Sequence, residues 1–129
     1  MLGGKKLTDW TGKTVLVVED TDTSIMYYKA ALKKTKAKLL YAKNGVEAID
    51  IVNKKDIVNL ILMDINMPIM NGIEATREIK KINPHIPIII QTAYVLNDER
   101  IRCFDAGCDG FMAKPVKIHQ LITTIEELL

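Results

Sequence analysis

The hydrophobic pattern divides the chain into five short apolar runs, at residues 14–18, 38–42, 59–63, 87–91 and 110–113. After each run the spacing of apolar positions turns helical, over 22–34, 45–54, 73–82, 97–106 and 117–128. Runs of four or five residues fit strands, and the longer segments fit helices. Local punctuation agrees with these limits. Asn44 stands where a helix N-cap is needed, Pro84 stops the third helix, and Gly107 closes the fourth. Runs one, three and four are apolar almost throughout, as in strands covered on both faces of a parallel sheet. Alternating strands and helices therefore predict a doubly wound α/β fold with five strands and five helices. On the first helix, Tyr28, Ala31 and Leu32 share the face to be buried, whereas Ile25 and Met26 point outward.

Residues 1–13 are expected to be a linker or cloning remnant, with one domain over 14–129. No segment follows the last helix, so no output domain is expected. A chain of 129 residues, nearly half of them apolar, can build a core without disulfides or metals. The formal net charge of +2 is too small to point to nucleic acid or an anionic membrane. No apolar run is long enough to span a bilayer, and the start lacks a signal-peptide core. Cys103 and Cys108 read as reduced cytosolic thiols, and a zinc site would need ligands that His85 and His119 are too distant to supply.

In such sheets ligands bind beyond the carboxyl ends of the strands, so the polar residues at those ends carry the chemistry. Strand one ends in Glu19-Asp20, strand three at Asp64, strand four at Thr92 and strand five at Lys114. Taken singly, each has an ordinary explanation: a helix cap, a strand-end hydroxyl, a surface lysine. Taken together, they bring three carboxylates, a hydroxyl and an ammonium to one edge. Crowded carboxylates repel, and a divalent cation relieves that repulsion. Mg²⁺ takes oxygen ligands and keeps several waters, which leaves room for a phosphoryl oxygen. Asp64 can then act as a nucleophile forming an acyl phosphate, with Lys114 and Thr92 stabilising the transferred group. Pro68 would stiffen the following loop, and Gly72 would supply a backbone angle that other residues resist.

The motifs Val-Val-Glu-Asp (17–20), Met-Asp-Ile-Asn-Met-Pro-Ile-Met-Asn-Gly (63–72), Gln-Thr-Ala (91–93) and Ala-Gly-Cys-Asp-Gly-Phe-Met-Ala-Lys-Pro (106–115) extend this reading. Over residues 14–128 the chain resembles the receiver domains of response regulators. The resemblance implies a flavodoxin-like sheet in the order 2-1-3-4-5 and a phosphoryl acceptor at Asp64. It implies Mg²⁺ held by Asp20, Asp64 and the backbone carbonyl of Asn66, with Glu19 acting through water. It makes Thr92 and Phe111 a switch pair and Lys114 a phosphoryl clamp, followed by a cis bond to Pro115. Glu19 departs slightly from the pattern, since many members have Asp there. The residues flanking the path of hydrolytic water would be Asn66, which leaves it open, and Tyr94, whose ring could cover it. The implied partners are a histidine kinase or a histidine-containing phosphotransfer domain, and outward-pointing Ile25 and Met26, apolar and expected near Asp64, suggest the docking patch. No direct contact with nucleic acid or membrane is implied.

The segment Asp9-Trp10-Thr11-Gly12-Lys13 before strand one, and Met-Asn-Gly-Ile-Glu-Ala-Thr-Arg-Glu-Ile (70–79), are similar to C-terminal receivers of hybrid sensor histidine kinases. That origin places the domain on the cytoplasmic side of a membrane. The alternative is a free-standing single-domain regulator. Two other classes fit less well. A haloacid-dehalogenase-type phosphotransferase carries its nucleophile on the first strand, with a second acid two residues later, whereas Asn66 follows Asp64. A flavin module needs a phosphate-binding loop after strand one, where two acids stand here.

Overall fold

The computed structural model describes residues 8–54, 57–93 and 97–129. The elements are β1 (Thr14–Val18), α1 (Asp22–Leu32), β2 (Lys38–Ala42), α2 (Gly45–Asn53), β3 (Leu60–Asp64), α3 (Gly72–Ile82), β4 (Ile88–Thr92), α4 (Asn97–Ala106), β5 (Gly110–Ala113) and α5 (Ile118–Leu128). The strands form one parallel sheet in the order β2-β1-β3-β4-β5. All ten expected elements are present, with edges shifted by one or two residues. The shift matters in β3 and β4, where Asp64 and Thr92 are the last strand residues rather than the first loop residues. A 3₁₀ turn, Lys33–Thr35, takes over the end of the first helix.

The alternation of the strands explains the two layers. Leu16, Val18, Ile61, Met63, Ile88 and Ile90 face α2, α3 and α4, meeting Ala48, Ile73, Ala75, Ile79 and Cys103. Val15, Val17, Leu60, Leu62 and Ile89 face α1 and α5, meeting Tyr28, Leu32, Leu121 and Ile125. Successive strand residues point to opposite faces, so an apolar run feeds both layers. Each such side chain contributes about 2 kcal/mol by leaving water. Caps behave as the sequence implies: Asn44 accepts from the Glu47 N–H, and Gly107 adopts φ +108° beyond α4.

Residues 8–13, just before β1, pack onto the domain through Trp10. Trp10 is 4% exposed and packs within the α1/α5 layer. Its N–H donates to the Thr35 carbonyl at 2.6 Å, and its Nε1 donates to Glu126 at 3.4 Å. Trp10→Ala should cost about 3 kcal/mol, the low end for a buried tryptophan because the site lies at the rim of the layer. Urea unfolding of the two chains measures this; an unchanged midpoint would show that the indole contributes nothing.

Candidate functional site

Parallel register brings the four strand ends together. Asp64 pairs with Gln91 across β3 and β4, and Thr92 pairs with Ala113 across β4 and β5. Glu19 follows β1, its N–H donating to the Ala42 carbonyl, and the Lys114 N–H donates to the Thr92 carbonyl. Glu19, Asp64 and Thr92 are buried, Lys114 is half-buried, and Asp20 and Asn66 are exposed. The Lys114 ammonium lies 3.1 Å from Glu19 Oε1 and 3.3 Å from Asp64 Oδ1. It thus ties the ends of β1, β3 and β5 together. The Lys114–Pro115 bond is cis.

The electrostatics show what this arrangement lacks. Burial pushes the Asp64 carboxyl above its ordinary range; Lys114 opposes the rise and Asp20 adds to it. Burial also raises Glu19, with repulsion from Asp64 added and Lys114 opposing. Burial would lower Lys114, but the two carboxylates outweigh it and hold the amine above its ordinary value. One ammonium therefore serves two buried acids and leaves both of them short of positive charge. Glu19 Oε2 is buried with no hydrogen-bond partner. Among the described residues, no three His, Cys, Asp or Glu side chains stand ready to enclose a metal. A cation held by two carboxylates, a carbonyl and waters needs no such cage. The orphaned oxygen and the raised carboxyls fit such a cation.

Around this centre, the Thr92 hydroxyl donates to Glu99 Oε1 on α4 at 3.3 Å. Phe111 is half-buried, and the Arg100 guanidinium lies 5.9 Å from its ring centre, at the outer limit of a cation–π contact. Tyr28 donates from its hydroxyl to Gln91, and Tyr27 donates to the Val116 carbonyl. A groove of 420 Å³ runs beside Lys114, between the start of α1 and the β5–α5 turn, lined by Thr23, Ser24, Tyr27, Ala93 and Pro115. Met26 is exposed, as expected, but Ile25 is half-buried, and neither lines the groove. Tyr94 lies outside the described residues.

Gly72 requires a correction. It has no positive φ; among the described residues only Gly12 and Gly107 among the glycines do. Its role is steric, because a Cβ there would sit 2.1 Å from the Asp64 carbonyl oxygen. The unusual backbone angle in this loop belongs instead to Ile69, at φ +70° and 81% exposed. Glu99 and Arg100 were not legible as site residues, since nothing in sequence separates them from ordinary charges on a helix's first turn. Cys103 and Cys108 are free and buried, and burial pushes their thiols up to about 11 and about 12, which suits inert core thiols.

The architecture and the acidic, lysine-bridged edge define a receiver. The response regulator receiver domain profile matches residues 15–126, and the chain belongs to that family. It is a receiver domain of two-component signal transduction. It is 30% identical over 119 residues to the polar-differentiation response regulator DivK of Brucella anthropi, covering 91% of this chain and 96% of that one. It superposes on a CheY-like receiver domain protein from Methanospirillum hungatei JF-1 with a TM-score of 0.81 at 29% identity, over 89% of this chain and 91% of that chain. It also superposes on the receiver domain of sensor histidine kinase PA1611 from Pseudomonas aeruginosa PAO1, with a TM-score of 0.83 at 29% identity, over 90% and 96%. That structure has a magnesium ion coordinated in its active-site cleft. Among the described residues, no helix is long and apolar enough to cross a membrane.

Proposed function

We propose that Asp64 accepts a phosphoryl group from a phosphohistidine. The observation that carries this is the Lys114 ammonium shared between buried Glu19 and Asp64, with one Glu19 oxygen left unpartnered. Asp20, Asp64 and the Asn66 carbonyl would hold Mg²⁺, with Glu19 reaching it through water. Bound there, Mg²⁺ supplies positive charge for the phosphoryl oxygens. An Asp64 carboxylate oxygen attacks phosphorus as the P–N bond to the donor imidazole breaks, and the imidazole keeps that electron pair. Lys114 then transfers its ion pair to a phosphoryl oxygen, and the Thr92 hydroxyl donates to another. Phe111 turns inward behind Thr92, which biases the surface of α4, β5 and α5. Asn66 leaves the approach of hydrolytic water open. Incubation with Mg²⁺ and acetyl phosphate should add a single alkali-labile phosphoryl group, mapped to the peptide bearing Asp64. A label on any other residue would overturn the assignment.

The donor is a histidine kinase or a histidine-containing phosphotransfer domain in the cytoplasm. Its helix would approach over the groove beside Lys114 and meet Ile25 and Met26. Exposed Met26 on α1, the helix whose first turns border that groove, supports this. Ile25→Glu should slow transfer from a phosphohistidine protein several-fold and leave acetyl phosphate unaffected. Equal slowing with both donors would mean damage to the site rather than to docking. Origin in a hybrid sensor kinase is supported by the segment around Trp10 and by the PA1611 receiver. The resemblance to the response regulator DivK supports the alternative, a single-domain regulator.

A further inference from the structure

Two side chains on the first turn of α4 each engage one member of the Thr92–Phe111 pair. Glu99 Oε1 accepts from the Thr92 hydroxyl at 3.3 Å. The next residue, Arg100, lies 5.9 Å from the centre of the Phe111 ring and also 5.9 Å from that of Phe104, one helical turn further along. We propose that Glu99 is a positioning residue for phosphorylation: it holds the Thr92 hydroxyl away from Asp64, while Arg100 holds the half-buried Phe111 ring where it stands in the same state. The proposal rests on Thr92 and Phe111 being the switch pair.

The physical reason is exclusivity. A threonine hydroxyl carries one proton, so it donates to Glu99 or to a phosphoryl oxygen, not to both. Thr92 is fully buried and Glu99 half-buried, so bulk water reaches the exchange only from the Glu99 side. A carboxylate is also a stronger acceptor than a neutral oxygen. An acid on a helix's first turn has an ordinary reason, since it complements the helix dipole. That reason explains why an acid stands at 99 and not why it is aimed at β4. Because Glu99 and Arg100 are consecutive on one turn, releasing Thr92 frees that turn to move, and the guanidinium goes with it. The hydroxyl and the ring are thereby tied to one rigid element, as a two-state device needs.

The test uses the intact chain with Mg²⁺ and BeF₃⁻ as the phosphoryl surrogate, in wild type, Glu99→Ala, Thr92→Ala and the double variant. Glu99→Ala should bind BeF₃⁻ about 2- to 10-fold more tightly, the worth of one hydrogen bond no longer broken. Its Phe111 and Arg100 amide signals should already lie part-way toward the BeF₃⁻ positions without ligand. A purely structural role would change the melting temperature without moving either readout. In the Thr92→Ala background, the same Glu99 change should have no effect on affinity. Equal tightening in both backgrounds would show that Glu99 acts only by repelling the anion, and would overturn the latch. A Thr92→Ala chain whose affinity and Phe111 shift match wild type would instead overturn the switch reading beneath it. Unchanged affinity in Glu99→Ala, with Thr92→Ala behaving as expected, would remove Glu99 alone.

Discussion

Asp64→Asn is expected to abolish phosphorylation by acetyl phosphate and, without divalent cation, to make the domain more stable. The first effect follows from removing the nucleophilic oxygen, since an amide forms no acyl phosphate under these conditions. The second follows from the direction in which Asp64 is shifted. Its carboxyl lies above the ordinary 3.8 after Lys114 has already pulled it down. The ionised form is therefore penalised in the folded chain relative to the unfolded one. Glu19, above its ordinary 4.5, carries the same sign. The folded state binds these protons more tightly, so their contribution is greatest at acid pH and falls as pH rises from about 4 through the raised folded values. Asparagine removes one such charge. A higher Tm is expected near neutral pH, with the gain shrinking toward pH 4. Mg²⁺ should raise the Tm of wild type and have a much smaller effect on the variant. Thermal melts at several pH values, with and without Mg²⁺, check all three statements. A variant less stable than wild type at neutral pH would mean that the Lys114 ion pair outweighs the burial of the charge.

Gly72→Ala is expected to damage both stability and phosphorylation, although residue 72 touches no substrate. A Cβ at this position would stand 2.1 Å from the Asp64 carbonyl oxygen and 2.9 Å from the Asp64 carbonyl carbon and Met63 Cγ. Rotating a side chain cannot relieve the first two contacts, because they involve main-chain atoms of β3. The Gly72 N–H also donates to the Ile65 carbonyl at 2.9 Å, which closes the loop that carries Asn66, Met67 and Pro68. Either this loop opens or the end of β3 moves, and the Asp64 carboxylate moves with it. A loss of about 3–4 kcal/mol is expected, above the usual range for one added methyl group because backbone must shift. Phosphorylation by acetyl phosphate should slow at least tenfold at temperatures where the variant is folded, since displacing a reacting group by about 1 Å is that costly. Urea unfolding and a phosphorylation time course below the variant's melting point measure the two effects separately. Wild-type phosphorylation rates in a folded variant would show that the acceptor is positioned independently of this contact.

The sequence determined the sheet and its chemistry, and the physical reason is that both are periodic or terminal. Strands buried on two faces must be apolar almost throughout, so β3 and β4 were visible as apolar runs broken only at their ends. The polar residues that end those runs were then conspicuous, and parallel pairing leaves their ends no edge to occupy but a shared one. Receiver membership could therefore be read from residues 17–20, 63–72, 91–93 and 106–115. The tertiary structure decided matters that depend on what lies opposite. Trp10 looked like linker because no local pattern holds it, and its ring partner Glu126 is 116 positions away. Gly72 was legible as a necessary glycine, but for the wrong reason: an unusual backbone angle was inferred where a main-chain oxygen comes close. Ile25 and Met26 look alike in sequence, and packing left one half-buried and the other exposed. Glu99 carries no signal of its own, because an acid on a first helical turn serves the helix dipole in any fold. Only the placement of α4 against the end of β4 aims it at Thr92, and that placement is set by the packing of α4 against α3 and β5 rather than by any residue near 99.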